Sequence, residues 1–371
     1  MSPLNNLFVL DFSTLLPGPL ASLMLAEAGA EVVKIERPGG GDAMRAYDPV
    51  VDGEGVNFAL LNRGKRSITI DLKSPDVMTV LGPLIDKADI LIEQFRPGVM
   101  ERLGLSYQAL HERNQRLIYC SISGWGQNGP KASKPGHDLN FAAESGILGL
   151  TTDKNGHPVL SAFLAGDIAG GALPAVLNIL LALRQRDHTG QGCYIDVGMT
   201  DNLMGYLSWG LSSGFAGLEW PKPASNLVIG ASPRYQVYRT ADDRFLAAAP
   251  IEDKFWAEFT SIIGLPPHLA DPGAPVDEAV DAIAERIRMR TAAEWDEAFS
   301  GKDVCCSIVL TLEEAITASQ GSNRQIQGRT LGIGSKTLPA LPVPINSAFR
   351  SPYSHAFSPR FDESGVSHPA S

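Results

Sequence analysis

Short apolar runs broken by Gly and Pro set the pattern of the first half of the chain. Leu7–Asp11 (LFVLD) predicts a buried strand, which Pro17-Gly18-Pro19 terminates. Leu20–Ala28 predicts a helix, with Pro19 suited to its first turn and Gly29 to its C-terminal cap. Glu31–Glu36 (EVVKIE) is the next strand, so the segment reads as strand–helix–strand and implies a parallel sheet with right-handed crossovers. Further strands are predicted at Ser67–Leu72, Ala88–Glu93, Leu117–Ser123 and Tyr194–Val197, with a helix at Pro75–Lys87. A Gly/Pro-rich loop runs from Gly124 to Gly136, and an apolar run from Ala172 to Leu183 predicts a buried helix ending near Arg184–Arg186.

The pattern then changes. Ser212–Ile229 is rich in Gly, Ser, Pro and Lys, lacks periodicity and reads as a linker. Tyr235–Ala249 reads as a β-hairpin turning at Ala241–Asp243. Helices are predicted at Glu252–Ile263, Val276–Arg288 and Ala292–Phe299, followed by a short apolar run at Ser307–Leu310. Beyond Ile326 the chain reads as loop, and its last fifteen residues are polar. The fold class is α/β: a Rossmann-like parallel-sheet large domain over 1–197 with a C-terminal return at 338–371, and a smaller α+β domain over 236–321. Linkers are expected at 198–235 and 322–337.

Composition narrows this picture. A length of 371 residues favours at least two domains, and 44% hydrophobic with 19% charged residues is a globular composition. A net charge of −10 with no basic block argues against a nucleic-acid partner. Cys120, Cys193, Cys305 and Cys306 form no CxxC pair, so neither a disulfide framework nor a metal site is expected. The first residues lack a basic region ahead of their apolar ones, and Ala172–Leu183 is too short for a membrane span; a cytoplasmic location without membrane contact is expected. The loop after the first strand lacks GxGxxG, so a dinucleotide cofactor is not indicated.

Candidate chemistry concentrates between Pro135 and Gly171. His137, Asp138 and Asp167 fall there, Asp167 lying just before Gly170-Gly171 and the apolar run. This reads as a carboxylate near a helix N-terminus, where unpaired N–H groups and the dipole favour an ionised group or an oxyanion. Taken singly, these residues have plain readings: a loop His, an Asp used as an N-cap.

Together with other stretches they read differently. PGPLASLMLAEAGAEVVKIERPGGGD, NRGKRSITIDLKS, ADILIEQFRPGVMERLGL, LIYCSISGWGQNGP, GHDLNF, AGDIAGGAL, GQGCYIDVGMTD and YQVYRTADDRFLAAAPIEDKFW occur in this order. In these motifs the chain resembles the alpha-methylacyl-CoA racemases, within the class III CoA-transferases of the formyl-CoA transferase type. The resemblance implies an interlocked homodimer, an acyl-CoA substrate, and a place in lipid metabolism. No separate cofactor is implied, since CoA is part of the substrate.

The resemblance also implies the reaction. Both branches carry an Asp where Asp167 stands, a base in the racemases and a nucleophile in the transferases. GHDLNF places His137 where the racemases carry His, so the implied activity is an isomerase interconverting (2R)- and (2S)-2-methylacyl-CoA by 1,1-proton transfer through an enolate. The alternative is a CoA-transferase with Asp167 forming an aspartyl-CoA thioester. Racemisation needs an acid and a base on opposite faces of the α-carbon, and imidazole and carboxylate can exchange those roles. Glu252, in Pro250–Phe255, matches the Glu that orients the His; Asp201 and Asp138 match the surrounding hydrogen-bond network. Cations are expected at the CoA phosphates. Arg63 and Arg66, before a strand, and Arg96, after one, are the first candidates; Arg37, Lys65 and Arg102 are further ones. Residues from Met199 to Trp209 could line an acyl pocket, although core packing explains most of them. The chain departs from the family at Ala241–Asp243, at Cys306–Val309, which lacks a Pro, and at Gln320–Asn323. The acyl chain stays open among sterol side chains, branched fatty acids and aryl-propionates.

Overall fold

The computed structural model describes residues 2–153, 155–321, 328–352 and 355–361. The chain forms two compact units, one of Met1–Ser145, Ser161–Tyr206 and Ser319–Ser371, the other of Gly146–Leu160 and Leu207–Ala318. Residues 146–160 thus fall in the second unit, and 207–235 are part of it instead of a separate linker. Helix Ser208–Phe215 stands at the start of the stretch expected to be aperiodic; its Gly and Ser positions hide the helical period.

The first unit is built on six strands: β1 (Phe8–Asp11), β2 (Glu31–Glu36), β3 (Arg66–Thr69), β4 (Ile90–Glu93), β5 (Ile118–Ser123) and β6 (Tyr194–Gly198). They pair in the order β3-β2-β1-β4-β5-β6, and every pair is parallel. This is the doubly wound order, with its reversal between β1 and β4. Successive residues alternate between two cores, as the two-residue period of a strand requires. Val9, Ile90, Ile92 and Ile118 pack on one side with helices Pro17–Glu27 and Leu173–Thr189. Leu10, Val33, Leu91 and Tyr119 pack on the other with helix Val77–Ile85. Leu10 and Leu91 are fully buried, each stabilising the sheet by about 1.5–3 kcal/mol.

Helix Pro17–Glu27 starts three residues before the expected position, because Pro17 occupies its first turn, where a missing N–H costs nothing. The region after Ile326 is not all loop: Thr330–Ile333 pairs with Lys336–Pro339 and, in parallel, with His355–Phe357. Leu331 and Ile333 bury themselves beside Ala59, a contact of long sequence separation that a short TLGI run does not announce. The Gln320–Asn323 departure and the end of the expected C-terminal return lie outside the residues whose side chains are described.

The helix predicted from the Ala172–Leu183 run extends further. It is continuous over Gly166–Thr189, which gives it the length and composition of a membrane span, with 44% of its apolar window buried in the fold. In the second unit, strands Gln236–Arg239, Phe245–Ala248 and Cys306–Ile308 form an antiparallel sheet. Helices Asp253–Ile263, Val276–Ile287 and Ala292–Phe299 cover it around Phe259 and Trp295.

Candidate active site

Parallel sheets bind ligands outside the carboxyl ends of their strands, where the strand order reverses. The loops after β1 and β4 occupy that position here. They wall a cavity of about 420 Å3 that is also lined by Trp125, His137 and Asp167. A second cavity of about 470 Å3 lies against the ends of β2 and β3, lined by Arg37, Tyr47 and Lys73. Thr14, Leu15 and Phe95 border both cavities.

Leu15 holds the shared wall in a left-handed conformation, φ 62°. Such a conformation costs a non-glycine residue about 1–3 kcal/mol and persists only when its surroundings fix it. The Leu15 N–H donates to the Asp42 carboxylate at 3.2 Å, and Asp42 is itself buried against Lys34 at 3.1 Å.

Asp167 stands in the first turn of its helix, in a π-helical stretch, Gly166–Ala172, that leads into Leu173–Thr189. Such widened turns recur at functional sites. Glycine is required here by close packing. A Cβ on Gly170 would lie 2.3 Å from the Met199 carbonyl, and one on Gly166 would lie 3.0 Å from Asp138 Oδ1. The helix start does not supply the free donors expected of it. The Asp167 N–H donates to Asp138 Oδ1 at 2.9 Å, and the Ile168 N–H to the Leu164 carbonyl at 3.0 Å. Nor is the Asp167 carboxyl kept firmly ionised. Burial pushes it up, and the nearby Asp138 adds to the effect, so that it reaches about 7. The expectation of a dipole-stabilised carboxylate is corrected accordingly: desolvation and a second carboxylate outweigh the dipole.

His137 is the N-terminal cap of helix Asp138–Glu144, and its backbone N–H donates to Asn140 Oδ1 at 3.0 Å. Gly136 before it must be small, since a Cβ there would lie 2.6 Å from the Trp125 ring. Trp125 is anchored edge-on to Phe141 and through Nε1 to Glu144, at 3.0 Å. Lys131 and Lys134 also bond Glu144, closing the Gly124–Gly136 loop onto the helix that His137 caps. The structure therefore brings together His137, Asp138 and Asp167. Asp201 is exposed in the first turn of helix Met199–Met204, beside Gly198. Glu252 belongs to the second unit, exposed at the N-cap of helix Asp253–Ile263, where its side chain makes no capping bond.

The expected phosphate contacts divide by strand polarity. Arg63, Lys65 and Arg66 precede β3 or begin it, at its amino end, although the Lys65 side chain reaches Asp11 at the carboxyl end of β1. Arg63 is 2% exposed and bonds Glu27 Oε1 at 2.9 Å together with the Leu60 and Leu341 carbonyls. Lys65 is fully buried against Asp11 at 3.2 Å, with Ser22 and Asn62 as further partners. Arg66 pairs with Glu31 at 2.6 Å. These three are corrected to structural cations. Arg37 and Arg96 follow β2 and β4 at their carboxyl ends and line the two cavities, and Arg102 is exposed in the short helix after Arg96. The sequence reading missed Leu15, Trp125 and Lys73 as cavity residues, and Glu93, Ser121 and Gln127 behind them. Of the last three only Glu93 carried a signal, its place as the last residue of a strand.

Comparison with known proteins gives this arrangement a lineage. The chain is 36% identical to human alpha-methylacyl-CoA racemase over 325 residues, 86% of this chain and 81% of that protein. It is 32% identical to the acetyl-CoA:oxalate CoA-transferase of Acetobacter aceti, over 98% of this chain and 94% of that one. A crystal structure of a CAIB/BAIF family protein from Brucella suis superposes with a TM-score of 0.83 at 28% identity, covering 98% of this chain and 97% of that one. The model of CoA-transferase family III matches residues 4–361, and the chain belongs to that family.

Proposed function

We propose that this protein is an isomerase interconverting (2R)- and (2S)-2-methylacyl-CoA thioesters. His137 and Asp167 exchange the roles of acid and base on opposite faces of the α-carbon, through an enolate. The observation that carries this reading is that both side chains line one cavity, with Asp167 raised to about 7. An ordinary carboxylate, far more acidic than imidazole, would be a weak partner for it. Raised towards the range where imidazole generally titrates, it can accept and return a proton with little penalty in either direction.

The neighbouring cavity suits the nucleotide end of CoA, with Arg37 and Lys73 on its wall and Arg96 facing the thioester cavity. Thr14, Leu15 and Phe95, common to both cavities, would lie along the pantetheine arm. Arg102 is assigned to the same phosphates. Glu252 as the residue orienting His137, and Asp201 as part of the network around Asp167, rest on the resemblance. A second copy of the chain is the natural cover for Leu177, Leu180 and Leu181, which stand 59%, 42% and 59% exposed on one helix.

The test is incubation of the protein in deuterium oxide with one epimer of a panel of 2-methylacyl-CoA thioesters. Formation of the other epimer with deuterium at the α-carbon supports the proposal. Conversion of Asp167 to its hydroxamate by hydroxylamine in the presence of acyl-CoA, with release of CoA and without epimer formation, would instead establish a CoA-transferase.

A further inference from the structure

Glu93 ends β4 and is 3% exposed, yet no step of the proposed reaction uses it. Its carboxylate accepts a hydrogen bond from the Phe95 N–H at 2.7 Å and another from the Ser121 hydroxyl on β5. Gln127 Nε2 donates to Ser121 Oγ at 2.6 Å, and the Gln127 backbone N–H donates to Asp196 Oδ2 on β6 at 2.9 Å. The chain of contacts thus spans three adjacent strands and reaches the loops after β4 and β5, both of which line the thioester cavity. One loop carries Phe95 and Arg96; the other carries Trp125, which packs on Gly136 next to His137.

We propose that Glu93 is a positioning residue that ties the Arg96 loop to the His137 loop, holding the thioester of a bound acyl-CoA in register with the base. This rests on the functional reading above. The pattern of donors and acceptors supports it. The Ser121 hydroxyl accepts from Gln127 and so must donate to Glu93. A carboxylate satisfies both donors. An amide at the same place offers one acceptor oxygen and an NH2 group, so it keeps both contacts only if the Ser121 hydroxyl turns from donor to acceptor. Burial raises the Glu93 carboxyl to about 7, against the two hydrogen bonds that lower it, and Asp196 adds to the rise. Above that value the ionised carboxylate accepts from both donors at the junction of the two loops, at the cost of burying a charge.

The two arms separate by experiment. Binding of CoA by calorimetry and α-proton exchange on a 2-methylacyl-CoA are measured for the wild-type protein, Glu93→Gln and Ser121→Ala. Glu93→Gln, which disturbs both loops, is expected to weaken CoA binding about tenfold and to slow exchange. Ser121→Ala, which cuts only the arm to the His137 loop, is expected to lower kcat about fivefold while leaving CoA affinity and KM within twofold. A merely structural Glu93 would lower Tm in both variants without this split. If Glu93→Gln does not fold, Ser121→Ala decides alone, and an unchanged kcat overturns the proposal. Wild-type CoA binding with unaltered binding and exchange in Glu93→Gln overturns it as well. Failure of the wild-type protein to bind CoA overturns the functional reading, and this proposal with it.

Discussion

Asp11 and Asp167 are carboxylates of the same unit, treated in opposite ways. Asp11 ends β1, fully buried. Burial pushes its carboxyl up, but Lys65 and Lys34 beside it, with the Ser13 and Ser22 hydroxyls, reverse this and bring it down to about 2. Asp167 is raised to about 7 by burial and by Asp138. The first environment is complete: Oδ1 accepts from the Ser13 N–H and hydroxyl, and Oδ2 from the Ser22 hydroxyl and Lys65. The second has its nearest charged neighbour of the same sign. The unbalanced one is the group the proposed reaction uses to move a proton.

Breaking each side of this comparison gives different results. His137→Ala, which removes one member of the proposed proton-transfer pair, is expected to lower the rate of epimerisation by about a thousandfold, measured by chiral separation of the product. Lys65→Ala leaves Asp11 with one cation fewer and is expected to cost about 3–5 kcal/mol of stability in denaturant unfolding, because a buried charge loses its partner. The wild-type protein gains stability from the lowered Asp11 carboxyl above its unfolded value near 4, and loses that gain as pH falls towards about 2. Lys65→Ala should flatten this acid limb.

Asp167→Asn should act in the other direction. A raised carboxyl lowers stability as pH rises from its unfolded value near 4 through about 7. The variant should therefore be more stable than wild type at pH 8 by roughly 1–3 kcal/mol, and equal to it at pH 4. Its Tm at the two pH values checks this. The smallest effect is expected for Arg96→Ala: about tenfold weaker CoA binding, with Tm nearly unchanged because the side chain is exposed.

Strands β1, β4 and β5 were legible because they are buried on both faces and read as apolar runs. His137 and Asp167 were legible through GHDLNF and AGDIAGGAL, which the close approach of Gly136 to Trp125 and of Gly170 to Met199 now explains. Strand polarity was not. NRGKR sits beside a strand, and only the parallel pairing of β3 with β2 shows that it faces the end without a crevice. The state of Asp167 was not legible either, because Asp138 Oδ1, 29 residues away in sequence, takes the N–H that the helix start would otherwise offer. Strands Thr330–Ile333 and His355–Phe357 depend on long-range pairing, which local composition does not reveal.

The most direct test of a two-base site is the stereochemistry of exchange in crippled variants, using separate (2R)- and (2S)-2-methylacyl-CoA in deuterium oxide. With His137 removed, Asp167 remains on one face of the α-carbon; with Asp167→Asn, His137 remains on the other. The account predicts that each variant exchanges the α-proton of one epimer only, with retention, that the two variants choose opposite epimers, and that neither forms the other epimer. Exchange of the same epimer by both variants, or epimerisation surviving in either, would contradict it.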